Sequence, residues 1–195
     1  MEKIDLKKRY KALYSAKSEI GVVDAGEGRF LVVESQGSPG GEAFQNAVGQ
    51  LYSVAYTLKF ALKNAGMLDF GICSLEALYF DDPADTPRDE WRWHLLIRIP
   101  EEVKPKDIEE AKNTVRTRKG IDTSVVKDVH LKEGRSLQVL HVGPYDEVGS
   151  VYQRLLHRIT EQGLSCSGPP HEVYINDPRR VAPEKIKTIV RIPVR

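Results

Sequence analysis

The alternation of apolar and polar positions divides the chain into strands and helices in an order that occurs twice. Arg29-Phe30-Leu31-Val32-Val33-Glu34-Ser35-Gln36-Gly37 reads as a strand ending in glycine, and Arg135-Ser136-Leu137-Gln138-Val139-Leu140-His141-Val142-Gly143 repeats it loosely. A helix follows each copy, Glu42 to Ala65 and Asp146 to Gln162. Gly66 and Gly163 stop them, because a left-handed C-cap costs glycine little. A strand comes next in both copies. Leu75-Glu76-Ala77-Leu78-Tyr79-Phe80 runs to Asp82-Pro83, and His171-Glu172-Val173-Tyr174-Ile175 to Asp177-Pro178, with a one-residue offset that a β-bulge would absorb. Both copies close on matching strands, Leu96-Ile97-Arg98-Ile99-Pro100 and Ile189-Val190-Arg191-Ile192-Pro193. The predicted order is β-α-β-β twice. Strands and helices of this kind bury their apolar faces by laying helices on a sheet, which gives a pseudo-symmetric α+β sandwich.

The organisation expected is one domain over residues 1–195, with a first half at 21–100, a linker at 101–134 and a second half at 135–195. Within the linker, Lys106 to Lys119 carries Ile108, Ala111 and Val115 at helical spacing and stops at Gly120, a helix with a mostly polar surface. Leu6, Tyr10 and Leu13 predict a short amphipathic helix at the N-terminus.

Charge narrows the partners. The 29 Lys+Arg and 28 Asp+Glu leave a net charge of +1, so no global electrostatic footprint draws the chain to nucleic acid or to an anionic membrane. The run Arg116-Thr117-Arg118-Lys119 reads more simply as a solvated helix end complementing the macrodipole. The residues ahead of the first strand are too few for a helix-turn-helix domain, so no direct nucleic-acid contact is expected. The N-terminus is charged and lacks the apolar core of a signal peptide, and no run approaches a membrane span; a cytoplasmic protein is expected. Cys73 and Cys166 are far apart and read as reduced, and the five histidines show no metal spacing. No metal or cofactor is called for.

Candidate chemistry concentrates on a few side chains. On the first long helix Phe44, Val48, Leu51, Ala55, Leu58 and Leu62 form the core stripe, and Tyr52 and Tyr56 lie one residue off it, where phenols either cap the core edge or line a pocket. Period-two alternation in Glu90 to Leu95 turns Trp91 and Trp93 to one side, fitting sheet packing or a stacking wall for a flat ligand. Glu172 shares a strand face with Tyr174 and Asn176, and by the repeat Glu76 takes the matching place in the first half. A carboxylate in a central strand is costly to desolvate. Glu172 is therefore either ion-paired with Arg98 or Arg191, or held as a general base or a counter-charge for a lipophilic cation. For Glu76 the ion pair is favoured. Tyr145 sits in a strand-to-helix turn that can aim a phenol into a cleft. Gly37 to Glu42 opens a helix but lacks the Lys-Ser/Thr of a phosphate loop.

Leu51-Tyr52-Ser53-Val54-Ala55-Tyr56-Thr57-Leu58-Lys59-Phe60, Glu90-Trp91-Arg92-Trp93, His141-Val142-Gly143-Pro144-Tyr145-Asp146 and His171-Glu172-Val173-Tyr174-Ile175-Asn176-Asp177-Pro178 together resemble the GyrI-like small-molecule-binding proteins. The likeness is closest to the stand-alone branch that includes cyclopropanoid cyclase/hydrolase proteins. It implies a duplicated β-α-β-β (SHS2-type) fold with a pocket between the halves, walled by aromatics around a central glutamate. Carried onto this chain, the glutamate is Glu172, with Tyr145 and Tyr174 beside it and Tyr52, Tyr56, Phe80, Trp91 and Trp93 as walls; Tyr79-Phe80 stand where many relatives carry tryptophans. The implied activities are hydrolysis of yatakemycin-like cyclopropanoid genotoxins by Glu-activated water or, alternatively, non-catalytic capture or sensing of lipophilic cations. Either requires a small hydrophobic or aromatic ligand, no cofactor, no membrane, and a monomer or weak homodimer. A gyrase-inhibiting role is suggested by the family name alone.

Overall fold

A computed structural model describes residues 2–195. In chain order the elements are α1 (Leu6–Arg9), α2 (Lys11–Tyr14), β1 (Gly21–Asp24), β2 (Glu27–Gln36), α3 (Glu42–Asn64), β3 (Leu75–Tyr79), β4 (Arg92–Arg98), α4 (Pro105–Lys119), β5 (Lys127–Lys132), β6 (Arg135–Val142), α5 (Val148–Glu161), β7 (His171–Tyr174) and β8 (Lys187–Pro193). The predicted β-α-β-β order is present twice, as β2-α3-β3-β4 and β6-α5-β7-β8, and the fold is α+β with antiparallel strand pairing. Both long helices end as expected: Gly66 and Gly163 hold φ of 66° and 65°, a left-handed conformation in which a side chain would be strained. No helix among the described residues is long and apolar enough to cross a membrane.

Contacts divide the chain into two compact units. The first holds residues 2–9, Gly28–Cys73 and Tyr79–Leu131; the second holds Tyr10–Glu27, Ser74–Leu78 and Lys132–Arg195. In the first unit the strand order is β4-β2-β5, with Phe30 opposite Arg98 and Gln36 opposite Arg92. On α3, Phe44, Leu51, Ala55, Leu58 and Leu62 are buried as the stripe predicts, joined by Ala47 and Val54, while Val48 is only half-buried. α4 packs on α3 and buries Ile108, Ala111 and Val115. The stretch read as linker also contributes a strand, β5. Arg29 secures it with a two-pronged grip on Asp128, Nε to Oδ1 at 2.8 Å and Nη2 to Oδ2 at 2.7 Å, and its Nη1 donates to the Val103 carbonyl.

In the second unit the order is β1-β6-β8-β7-β3. α5 lays Val148, Val151, Leu155 and Ile159 over Leu137, Val139, Val190 and Ile192 on one sheet face. The N-terminal segment covers the other. Gln138 Nε2 donates to the Ala12 carbonyl at 2.8 Å, Arg191 Nη2 to that of Leu13 at 2.9 Å, and the Leu140 amide to that of Lys17. The short helix expected there is two single turns, α1 and α2, of which Leu6 alone is fully buried.

The register of β3 on β7 corrects the alignment of the two copies. Glu76 lies opposite Val173, Ala77 opposite Glu172 and Leu78 opposite His171. Residues directly opposite each other in an antiparallel pair share a face, so Ala77 lies on the Glu172 face and Glu76 on the other, with His171. The offset that superimposes Asp82-Pro83 on Asp177-Pro178 then matches Ala77 to Glu172 and Glu76 to His171, so no bulge is needed.

Candidate functional site

Glu172 is positioned by strand alternation. It stands on the α5 face of β7, opposite Ala77 on one side and Val190 on the other, only 8% exposed. Tyr152, on the first turns of α5, donates its hydroxyl to Glu172 Oε1 at 2.8 Å, and Tyr174 donates to the same carboxylate from two residues along the strand. No ion pair to Glu172 occurs among the described residues, and Arg191, one of the two partners weighed for it, is engaged by Glu133 instead. Burial raises its pKa, against the opposing pull of the two tyrosines and of His141 and His171. A carboxylate held this way binds a proton or a cation more readily than one in water.

Tyr145 completes the cluster. It begins the 3-10 turn Tyr145–Glu147 ahead of α5, meets Tyr174 edge to face at 5.6 Å between ring centres, and is 37% exposed. Burial, the Glu172 charge and the Asp177 charge push its pKa up to about 12, so it remains a neutral hydrogen-bond donor at physiological pH. The Glu172–Tyr174–Tyr145 group read from the sequence is thus one constellation. Tyr152 is the residue that reading missed. Its signal was present: it follows Val151 of the α5 core stripe by one position, as Tyr52 follows Leu51 on α3.

On the opposite face of the sheet, Glu76 of β3 forms an ion pair, though with neither arginine. His171 is fully buried between two carboxylates, Nδ1 at 2.9 Å from Glu133 Oε1 and Nε2 at 2.9 Å from Glu76 Oε2, the second contact close but poorly directed for a hydrogen bond. Arg191 Nη1 reaches Glu133 Oε2 at 3.1 Å, Gln138 accepts from Arg191 Nε, and Tyr14 donates to Glu76 Oε1 at 2.6 Å. Burial alone would discharge His171, but the flanking glutamates raise its pKa to about 9 and hold it as an imidazolium; in return Glu133 is lowered to about 2.

The predicted aromatic walls lie in the first unit. Tyr52, Tyr56 and Phe60 stack along α3 with ring centres 6.1 and 6.3 Å apart, Tyr52 half-buried and Tyr56 and Phe60 exposed. Trp91 precedes β4 instead of lying within it; its indole donates to the Thr86 carbonyl, and its ring meets Tyr79 edge to face. Phe80 is 39% exposed and sits 4.3 Å from the His94 ring. Trp93 has no exposed surface. It donates to the Gly37 carbonyl and packs against Phe44, which makes it a core residue where a wall was expected. A separate open cleft of about 460 Å³ in the first unit, bordered by Lys3, Leu6, Lys7, Ile72 and Cys73, includes none of the predicted residues. No group of three or more metal-binding side chains occurs among the described residues.

Comparison with known proteins places this geometry in a family. The pattern of the GyrI-like small molecule binding domain matches residues 19–195. An uncharacterized conserved protein from Listeria innocua is 36% identical, with a TM-score of 0.91 over 98% of this chain and 100% of that one. Two hydrolases from Listeria innocua are similar at full length. One is 36% identical with a TM-score of 0.89, covering 100% of both chains; the other is 35% identical with a TM-score of 0.87, covering 98% of this chain and 100% of its own. No curated protein matches. With the pattern covering nearly the whole chain, and relatives of the same length and fold, the chain belongs to the GyrI-like small-molecule-binding domain family.

Proposed function

We propose that the chain binds planar hydrophobic small molecules beside Glu172 and hydrolyses activated cyclopropanes of the yatakemycin type. The observation that carries this reading is the buried Glu172 carboxylate, held by Tyr152 and Tyr174, without a cationic partner, and with the neutral phenol of Tyr145 close by. Full-length similarity to hydrolases supports it. In the reaction Glu172 takes a proton from water while the water oxygen bonds to a cyclopropyl carbon. The spiro carbon–carbon bond breaks, and its electron pair moves into the conjugated dienone, which becomes a phenolate. A hydrogen bond from Tyr145 stabilises the oxygen on which that charge gathers. Tyr174 and Tyr152, already committed to Glu172, orient the base. Proton return gives the phenol, so the product is substrate plus one water. Aromatic side chains beside Glu172, with the rings of Tyr145 and Tyr174 as candidates, would hold a flat substrate by stacking.

A second reading draws on the same unpaired carboxylate. A lipophilic cation entering the site supplies the missing counter-charge, with rings adding cation-π attraction, and the protein then sequesters or senses its ligand without turnover. Mass spectrometry separates the two. The purified protein incubated with a cyclopropanoid should yield the water adduct, and Glu172→Gln should bind without converting it. Binding of a cationic dye by wild type with no conversion of the cyclopropanoid refutes the hydrolase reading.

A further inference from the structure

On the Glu172 face one buried polar atom is unaccounted for. Thr188 lies on β8 directly opposite Tyr174 on one side and His141 on the other, so the three form a row across β7, β8 and β6. The next row of that face holds Glu172 and Val190. Thr188 is thus the diagonal cross-strand neighbour of Glu172, a separation of roughly 7–8 Å between backbones that side chains shorten. It has no exposed surface, and its Oγ1 has no hydrogen-bond partner. The flanking polar groups are engaged elsewhere, Tyr174 on Glu172 and His141 Nε2 with the Pro144 carbonyl at 3.0 Å. A buried hydroxyl left unpaired is costly, and the usual remedy in a polar recess is an ordered water with further polar partners.

We propose that Thr188 Oγ1 holds a water molecule against the Glu172 carboxylate, and that this is the water Glu172 activates. The second clause rests on the hydrolase reading; the first stands without it. A water with one hydrogen on Thr188 Oγ1 and the other on Glu172 has its lone pairs turned away from both, toward a bound ligand. When Glu172 removes its hydrogen, the oxygen forms the bond to the cyclopropyl carbon and Thr188 keeps the remaining O–H in place. Thr188 is then a positioning residue acting through the water, and the base is Glu172. Valine has the same shape without the hydroxyl, so Thr188→Val removes the water's anchor and also removes the unpaired group, with little expected effect on folding.

The test combines density with kinetics. In a high-resolution crystal structure of the wild type, an ordered water should lie within about 3.2 Å of both Thr188 Oγ1 and a Glu172 oxygen, and should vanish in Thr188→Val. For cyclopropanoid hydrolysis, kcat of Thr188→Val should fall at least ~10-fold with KM and rhodamine 6G binding within about twofold of wild type, while Thr188→Ser restores most of the rate. A hydroxyl that is merely structural would move the melting temperature and leave kcat alone. Absence of the water, a water on Thr188 that does not reach Glu172, or wild-type kcat in Thr188→Val would each overturn the proposal. If wild type hydrolyses nothing but the bridging water is present, the hydrolase reading falls and the water assignment stands.

Discussion

The buried His171 makes a quantitative prediction about stability and pH. Its imidazolium lies between Glu133 and Glu76, and its pKa moves from the ordinary 6.5 to about 9. A displacement of that size corresponds to about 3 kcal/mol of folding free energy. The sign follows from linkage. A folded pKa above the unfolded one means that the folded state holds the proton more tightly. The stabilisation is fully present below 6.5, declines as pH rises, and is lost on passing about 9. Glu133 works in the other direction: lowered from 4.5 to about 2, its contribution is present above 4.5 and lost as pH falls through about 2. The two shifts share one ion pair and do not add. Urea unfolding followed by tryptophan fluorescence, at intervals from about pH 6 to about pH 9.5, should show wild type losing about 3 kcal/mol relative to His171→Gln, whose curve lacks this component. The variant itself should be less stable by about 3–5 kcal/mol near pH 6, because two buried carboxylates are left with Arg191 alone. Parallel pH profiles for the two proteins, or an imidazole proton resonance of His171 titrating near 6.5, would refute the reasoning.

Glu172→Gln should raise the urea midpoint at neutral pH, because the raised pKa of Glu172 means that its charged form costs stability above the ordinary value of 4.5; a midpoint that falls contradicts this account of the site. Tyr152→Phe removes a donor to the carboxylate, so the acid limb of the pH–rate profile should move to higher pH, and an unmoved profile would sever Tyr152 from the site. Arg29→Ala should cost about 1.5–3 kcal/mol in chemical denaturation through the lost charged hydrogen bonds to Asp128 and the Val103 carbonyl, with Arg29→Lys recovering only part, since an ammonium cannot reproduce the fork. A Cβ at Gly28 would stand 1.8 Å from Arg98 Nη2, whose guanidinium lies over the Phe30 ring; Gly28→Ala should therefore cost about 1–3 kcal/mol in thermal unfolding, and a neutral result would mean that Arg98 is free to move aside.

How far each feature could be read ahead depended on how locally it is encoded. Both long helices were legible because their stripes and glycine stops lie within a few turns of each other. β1 and β5 were not. They are edge strands with burial confined to one or two positions, and their neighbours, β6 and β2, are distant in sequence or chosen over a nearer strand. At the site, Glu172, Tyr174 and Tyr145 stood out as a carboxylate and phenols next to turns and strands, whereas Trp93 looked the same in sequence whether it was wall or core.

By itself the order of residues determined the duplicated β-α-β-β plan, the faces of α3 and α5, and the side of β7 on which Glu172 emerges, since all of these follow from periods of 3.6 and 2. The tertiary structure alone decided the register of β3 on β7, and with it that Ala77, not Glu76, is the counterpart of Glu172. It also decided which charges meet. Glu133, Glu76 and Arg191 are far apart along the chain and converge on His171 only when strand pairing brings them to one buried face; a pairing between side chains is a property of distances in space, for which sequence spacing beyond a turn carries no measure.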